Sequence, residues 1–298
     1  MRTIIIEKGQ EVQPKQYSEQ RDIEKVIIRE GAIIGDGAFY KCTGITHLNI
    51  SEDVVIGRIA FLGCTGITEV NIAEGVTIGS CAFSICRGIT QLNIAEGVSI
   101  GESAFEECTG ITEVNIARGV TIDAGAFAYC TGITELNIPK GVTIDAGAFY
   151  KCTGITKVNI AEGVTVGQKG FLGCTGITEV NIAEGAIIGK YAFEYCTGIT
   201  GVSIAESVRV DESAFNFKTV EHFSMPEPIM YYSRQLILRV SELVKRLREK
   251  GHEAFNIPIT NEGVVPYQGV HSLQSLCVKT IVGSDGIKDL SMVKSIIR

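Results

Sequence analysis

Eight cysteines recur at intervals of 22 residues, and a column of thiols could form disulfides, hold a metal or act in redox chemistry. Each follows a phenylalanine by three residues, a place typical of a small buried hydrophobic side chain. Neighbouring repeats would bring these Cα atoms within bridging distance, so disulfides and a metal or redox column stay open beside the reduced, buried thiols that we expect. The column comprises Cys42, Cys64, Cys86, Cys108, Cys130, Cys152, Cys174 and Cys196, whereas Cys81 and Cys277 lie outside it.

The histidines give little support for catalysis. The chain has four, and none has a carboxylate or nucleophile at a spacing that suggests a site. His252, His271 and Cys277 could meet at zinc, but no Cys-x-x-Cys or His-x-x-x-His pair accompanies them. The glycines belong to repeat turns rather than to a phosphate-binding motif. We therefore expect no catalytic residues, metal or cofactor, and a protein that is not an enzyme.

A 22-residue repeat must position all these side chains, and it predicts a stacked solenoid. In the unit from Cys64 to Ile85, apolar and polar residues alternate over Thr68 to Ile72, which indicates a strand buried on one face. A second short strand over residues 76–78 and about one helical turn over 82–86 complete the unit. Because one unit cannot enclose its own apolar face, equivalent strands should pair in parallel. The phenylalanine column runs through Phe39, Phe61, Phe83, Phe105, Phe127, Phe149, Phe171, Phe193 and Phe215.

Outward strand positions form the candidate protein-binding face. The first column is His47, Glu69, Gln91, Glu113, Glu135, Lys157 and Glu179, ending at Gly201, and a column of asparagines runs beside it. One interpretation is an acidic docking strip. The other is a structural ladder of amides bonded to one another, which the lack of Trp, Tyr and Arg favours. Tyr40, Tyr129, Tyr150 and Tyr195 lie beside the phenylalanine column, on the outer side.

The repeat resembles a known family. Its period and the pattern of Ile133, Leu136 and Ile138 are those of leucine-rich repeats, and Ala148-Phe149-x-x-Cys152 is similar to the BspA-type class. The resemblance covers residues 1–225 and implies a solenoid used for protein contacts, often in bacterial surface or host-interacting proteins. The family commonly has proline after the strand, where this chain has only Pro139. Alanine occupies the position at Ala73, Ala95, Ala117, Ala161, Ala183 and Ala205.

Composition and charge exclude several classes of protein. With 45% hydrophobic and 20% charged residues the chain should fold. No apolar run is long enough for a membrane span, and no signal peptide is visible, so we expect a cytoplasmic protein, or one delivered into a host cell.

The net charge is unevenly distributed along the chain. Residues 216–298 hold 11 Lys+Arg against 8 Asp+Glu, a net charge of +3, which leaves 16 against 26, a net charge of −10, for residues 1–215. An acidic array of this kind is a poor nucleic-acid binder, because phosphate contacts need Lys and Arg. We also expect the protein to be a monomer.

Two domains are predicted. Residues 1–225 form the solenoid, with 1–37 as N-terminal capping repeats, and Val220, Phe223 and Met225 repeat the strand spacing one residue early. Residues 226–298 form a small α-helical C-terminal cap, in which the apolar periodicity of residues 230–250 indicates an amphipathic helix over the last repeat.

One C-terminal segment resembles a partner-binding motif. Residues 271–281 predict a helix with Ser272 as its N-cap, and Ser-Leu-x-x-x-Cys-x-x-x-Ile is similar to the BC-box that docks on elongin C. By that resemblance Leu273 would enter the partner's pocket, flanked by Cys277 and Ile281. The alternative is a helix that packs on the solenoid end.

The sequence thus predicts a non-enzymatic protein-binding scaffold or adaptor, with a bacterial effector-like protein acting on host proteins as its more specific form. The alternatives are a ubiquitin-ligase substrate receptor that docks elongin C through residues 272–281, and an adhesin that binds a partner on the acidic sheet face.

Overall fold

A computed structural model describes residues 2–205, 207–216 and 220–224, together with Arg246 and Glu249. The chain winds into stacked 22-residue rungs, each with a longer strand followed by a strand of two residues. In chain order the strands are β1 (Arg2–Ile6), β2 (Glu11–Val12), β3 (Ile23–Ile28), β4 (Ile33–Ile34), β5 (His47–Ile50), β6 (Val55–Ile56), β7 (Glu69–Ile72), β8 (Thr77–Ile78), β9 (Gln91–Ile94), β10 (Ser99–Ile100), β11 (Glu113–Ile116), β12 (Thr121–Ile122), β13 (Glu135–Ile138), β14 (Thr143–Ile144), β15 (Lys157–Ile160), β16 (Thr165–Val166), β17 (Glu179–Ile182), β18 (Ile187–Ile188), β19 (Gly201–Ile204), β20 (Arg209–Val210) and β21 (His222–Ser224).

The strands stack into parallel sheets on two sides of the rungs. The longer strands form the first side as a six-stranded sheet from β1 to β11 and a five-stranded sheet from β13 to β21. The short strands form the second side as a continuous ten-stranded sheet from β2 to β20. Equivalent residues pair throughout the regular rungs, as Val70 does with Leu92. The predicted repeat solenoid of leucine-rich-repeat type is confirmed.

The third side of each rung is made of turns, so the expected helical turn is wrong. In one rung the amide of Cys86 donates to the carbonyl of Phe83 over 3.1 Å, but Ile85 has a φ of +62°, which interrupts a right-handed helix. The Phe83 amide instead donates to the carbonyl of Ala104 in the next rung, over 2.7 Å. This side is therefore also hydrogen-bonded between rungs.

A single apolar core runs through the stacked rungs. Phe127 is fully buried, and its ring lies 5.3 Å from that of Phe105 and 5.2 Å from that of Phe149, with ring planes nearly parallel. At the start of the column Tyr17 stacks on Phe39 at 5.0 Å, and the Arg2 guanidinium lies 5.7 Å above the Tyr17 ring. The phenylalanine column therefore stacks continuously from Tyr17 to Phe215.

The rungs approach so closely that one position accepts only glycine. A Cβ atom on Gly132 would lie 2.5 Å from the carbonyl oxygen of Thr109 and 2.6 Å from that of Ile111. The same backbone contact recurs at each equivalent glycine from Gly44 to Gly198. The repeated Thr-Gly pair thus fixes how tightly one rung lies on the last.

The array ends with a shift of register. Strand β21 pairs with β19 through Gly201 and His222, which are 21 residues apart, and this confirms the predicted early spacing. Arg246 and Glu249 have helical backbone, and the Arg246 guanidinium donates to the carbonyl of Val220 over 2.8 Å. The rest of the helix predicted for residues 230–250, and of the cap at 226–298, lies outside the described residues.

Candidate protein-binding face

The predicted candidate residues form one outward column along the first side of the rungs. Strand residues alternate between the core and this face, so Val70 and Ile72 are buried while Glu69 and Asn71 point outward. Of the column, His47, Glu69, Glu113 and Glu135 are exposed, and Gln91, Lys157 and Glu179 are partly exposed. The structure thus brings all seven together; whether they bind a partner stays a proposal.

The neighbouring asparagines bond to one another, as the structural interpretation predicts. The side-chain amide of Asn93 donates to the Oδ1 atom of Asn71 over 2.6 Å, and that of Asn115 donates to Asn93 over 2.8 Å. The same contacts join Asn159 to Asn137 at 2.7 Å and Asn181 to Asn159 at 2.9 Å. These bonds run along the stack and hold the face in register.

The same asparagine amides also donate hydrogen bonds to carboxylates of the acidic column. These Asn–Glu contacts were not predicted from the sequence. Asn71 donates to Glu69, and Asn115 donates to Glu113, each over 2.8 Å. Asn181 makes the same contact with Glu179, whose carboxylate also lies 3.3 Å from the Lys157 ammonium. A Glu-x-Asn spacing on one strand face could have indicated these pairs, because alternate residues point the same way.

Hydrogen bonding changes the acidity of one of these carboxyls. The Asn181 amide, followed by the Lys157 ammonium, lowers the pKa of Glu179 below its ordinary value. A lowered folded-state pKa means that these contacts stabilise the fold above the unfolded pKa and are lost as the pH falls through the folded pKa. Glu179 is therefore held as the carboxylate at neutral pH.

Strand pairing on the first side is interrupted between β11 and β13, where its six-stranded sheet ends and its five-stranded sheet begins. Alanines at this position donate to the preceding rung, as Ala161 does to the carbonyl of Ile138 over 2.9 Å, but Pro139 has no amide hydrogen. Asn115 and Asn137 are not bonded to each other, and Ile116 is only partly buried whereas its counterpart Ile94 is 3% exposed. The second sheet stays paired there through β12 and β14, so the opening is confined to the first side.

Two shallow depressions follow the carboxyl ends of the first-side strands. One, of about 420 Å³, extends from Ile50 to Ala117, and the other, of about 500 Å³, extends from Ile116 to Ser203. Asparagine amides and apolar Ile and Ala side chains line both. The amide ladder is also unbonded between Asn49 and Asn71, although β5 and β7 remain paired.

The column thiols are buried and reduced, as expected. Each donates to the backbone carbonyl of the aromatic residue one rung earlier, as Cys86 does to Phe61 over 3.0 Å. Burial raises the pKa of the Cys86 thiol to about 12 and also raises those of Cys64 and Cys108. Thiols in this state are weak metal ligands and weak nucleophiles.

The other candidate residues divide into those the structure places and those it does not. Tyr129 and Tyr195 are exposed on the third side, as predicted. Within the described ranges, no group of three His, Cys, Asp or Glu residues is placed to hold a metal, and no helix could cross a membrane. The proposed elongin C contacts Leu273, Cys277 and Ile281 lie outside the described residues, as do His252 and His271.

Two solved structures and one family model are similar to this chain. The structures are a leucine rich cell surface protein from Faecalibacterium prausnitzii, at 15% identity over 68% of this chain with a TM-score of 0.35, and a leucine-rich repeat protein from Bacteroides ovatus, at 16% identity over 73% with a TM-score of 0.24. The matches cover 59% and 88% of those proteins, so this chain spans less than two thirds of the first. No curated protein matches. The model of the BspA type leucine rich repeat region matches residues 32–144 and 120–243 in six copies, and the chain therefore belongs to the BspA-type leucine-rich repeat family.

Proposed function

We propose that this chain is a non-enzymatic protein-binding scaffold whose first-side face takes a basic segment of a partner protein. The observation that carries the proposal is the orientation of Glu69 and Glu113 by Asn71 and Asn115, at 2.8 Å each. Carboxylates already held in place lose little side-chain freedom when a partner binds, which favours affinity.

The charge along this column supports a basic partner. In the part of the chain that the structure describes, Glu69, Glu113 and Glu135 form no ion pairs, and Gln91 separates the first two without adding charge. Lys157 pairs with Glu179 at the far end. Unpaired exposed carboxylates attract cationic groups and speed their encounter, mostly at low salt.

One feature supports a non-catalytic role. The column thiols are buried donors rather than nucleophiles. The adhesin and effector alternatives would use the same face. The elongin C alternative and the cytoplasmic location remain predictions from sequence.

A display selection tests the proposal. Random peptides would be selected on the intact chain and then screened on the triple variant Glu69→Gln, Glu113→Gln and Glu135→Gln, a change the fold should accept because Gln91 occupies the same column. We expect selected peptides rich in Lys and Arg that bind the variant at least about tenfold more weakly.

The matched control removes the same charge elsewhere, through Glu11→Gln, Glu102→Gln and Glu106→Gln. Peptides that bind the column variant as well as the native chain, or that lose as much affinity to the control, would contradict the proposal.

A further inference from the structure

Four tyrosines and two lysines lie on the third side of the rungs, which is made of turns and not of strands. They span about 15 Å over four rungs, since adjacent rungs are about 4.8 Å apart. Tyrosine is enriched at the centre of protein interfaces, whereas the acidic column on the first side contains none. This aromatic–basic patch consists of Tyr129, Tyr150, Lys151, Lys190, Tyr191 and Tyr195.

Cation–π contacts organise the patch. The rings of Tyr129 and Tyr150 meet edge to face at 5.3 Å, and the Lys151 ammonium lies 5.7 Å and 5.1 Å from the two ring centres. The Lys190 ammonium lies 4.9 Å from the centre of the Tyr191 ring. These contacts hold long side chains in place before any partner arrives.

The backbone beneath the patch is also fixed. The Tyr129 amide donates to the carbonyl of Tyr150 over 2.8 Å, and the Lys151 amide donates to that of Leu172 over 2.9 Å. Tyr195 is 62% exposed, so its ring offers a large apolar surface to a partner. The patch is thus a rigid platform with exposed aromatic area.

The aromatic–basic patch is positively charged, whereas the repeat array of residues 1–215 is acidic overall. Lys151 and Lys190 of the patch, and Lys169 beside it, are exposed and, within the described residues, form no ion pairs. Residues 1–215 as a whole carry −10. Glu194 lies among them, and Asp145 lies at the corner beside the second sheet, where it accepts a hydrogen bond from the amide of Ala146. Unpaired ammonium groups beside apolar rings match a carboxylate next to an apolar side chain.

We propose that the aromatic–basic patch is a second docking surface, which binds an acidic protein segment that alternates carboxylates with apolar side chains. It shares with the proposed function the premise that the array binds proteins, but it does not depend on the acidic column. The carboxylates pair with Lys151 and Lys190, and the apolar side chains pack on the tyrosine rings.

The fold offers variants that remove the patch without disturbing the core. Tyr129, Lys151 and Tyr195 occupy one column and have φ values between +54° and +60°, and Gly63 and Gly173 occupy the same column in other rungs. Because glycine adopts this conformation without strain, the triple change to Gly should fold. Lys41→Gly, Ile85→Gly and Glu107→Gly make the matched control, in the same column but outside the patch.

The test measures fluorescence anisotropy of a labelled peptide of about ten residues with alternating Glu and Leu. We expect saturable binding to the intact chain, weakened roughly tenfold or more by the triple change to Gly and unchanged in the control. Thermal melts of both variants would check folding. No binding, binding that survives the triple change to Gly, or an equal loss in the control would overturn the proposal.

Two further probes separate the possible outcomes. Binding of a peptide with alternating Lys and Leu should instead depend on Glu69, Glu113 and Glu135. Failure of this peptide to bind would count against the proposed function but not against the proposal for the aromatic–basic patch. An oligothymidylate of similar length that binds the patch more tightly than the Glu-Leu peptide would assign a nucleic acid to it and overturn the protein partner.

Discussion

Replacing Phe127 by alanine tests whether the rungs share one continuous core. The side chain is fully buried between two stacked neighbours, so truncation leaves a cavity and removes two ring contacts. Large-to-small changes of this kind cost about 3–5 kcal/mol, and each lost aromatic contact is worth about 0.5–1.5 kcal/mol beyond area burial. We therefore expect a loss of unfolding free energy of about 4–5 kcal/mol, in the upper half of that range.

The assay is urea unfolding of the intact chain, followed by far-ultraviolet circular dichroism. The midpoint should fall while the slope stays constant, because the native and unfolded surfaces hardly change. Tyr129→Gly, two residues along the same rung, is the control and should change stability by less than about 1 kcal/mol, since its ring is exposed and its backbone is left-handed. A loss below about 1 kcal/mol for Phe127→Ala would refute the continuous core.

Three further predictions rest on local contacts, and a fourth rests on the sequence of residues 272–281. Ala161→Pro removes a ladder hydrogen bond and should lower stability by about 1–3 kcal/mol, with faster amide exchange in the two strands it joins. In native protein at alkaline pH, iodoacetamide should modify the partly exposed Cys81 ahead of the buried column thiols, as peptide mass spectrometry would show. Asn181→Ala should raise the pKa of Glu179 toward its ordinary value in a carboxyl-carbon NMR titration, because the carboxylate loses a donor. If residues 272–281 bind elongin C, Leu273→Asp should abolish co-purification with elongin B/C.

Each of these predictions has a result that would contradict it. Unchanged exchange in Ala161→Pro would show that the ladder bond is dispensable. Equal labelling of all the thiols would show that the column is open to solvent. A Glu179 titration unaffected by Asn181→Ala would remove the amide as the cause, and retained elongin binding in Leu273→Asp would dispose of the BC-box hypothesis.

The repeat made the core predictable because the same residue types return every 22 positions. The burial of Phe127 and Cys130 follows from their place in that period, as does the outward direction of Glu135. The turns of the third side were not predictable as turns, since the short spacing also suits one helical turn. Only the left-handed backbone, as at Ile85, distinguishes the two.

The site was predicted less completely than the core. The outward columns follow from strand alternation, but the bonds from Asn71 to Glu69 and from Asn93 to Asn71 depend on side-chain rotamers that no pattern specifies. Pro139 stood out in the sequence as a departure from alanine. Its consequence for the sheet became apparent only when its missing amide was placed opposite the preceding rung.

The interruption at Pro139 separates the acidic face into two panels. Backbone bonds between the first-side strands set the separation of Glu113 from Gln91. Strands β11 and β13 are not paired, so the second sheet, the bonds of the third side and core packing set the separation of Glu113 from Glu135. A ligand confined to one panel meets a fixed lattice of charges. A ligand that bridges both panels crosses a seam at which no first-side strand pairing joins Glu113 to Glu135, so its affinity depends on the spacing across the seam as well as on the charges.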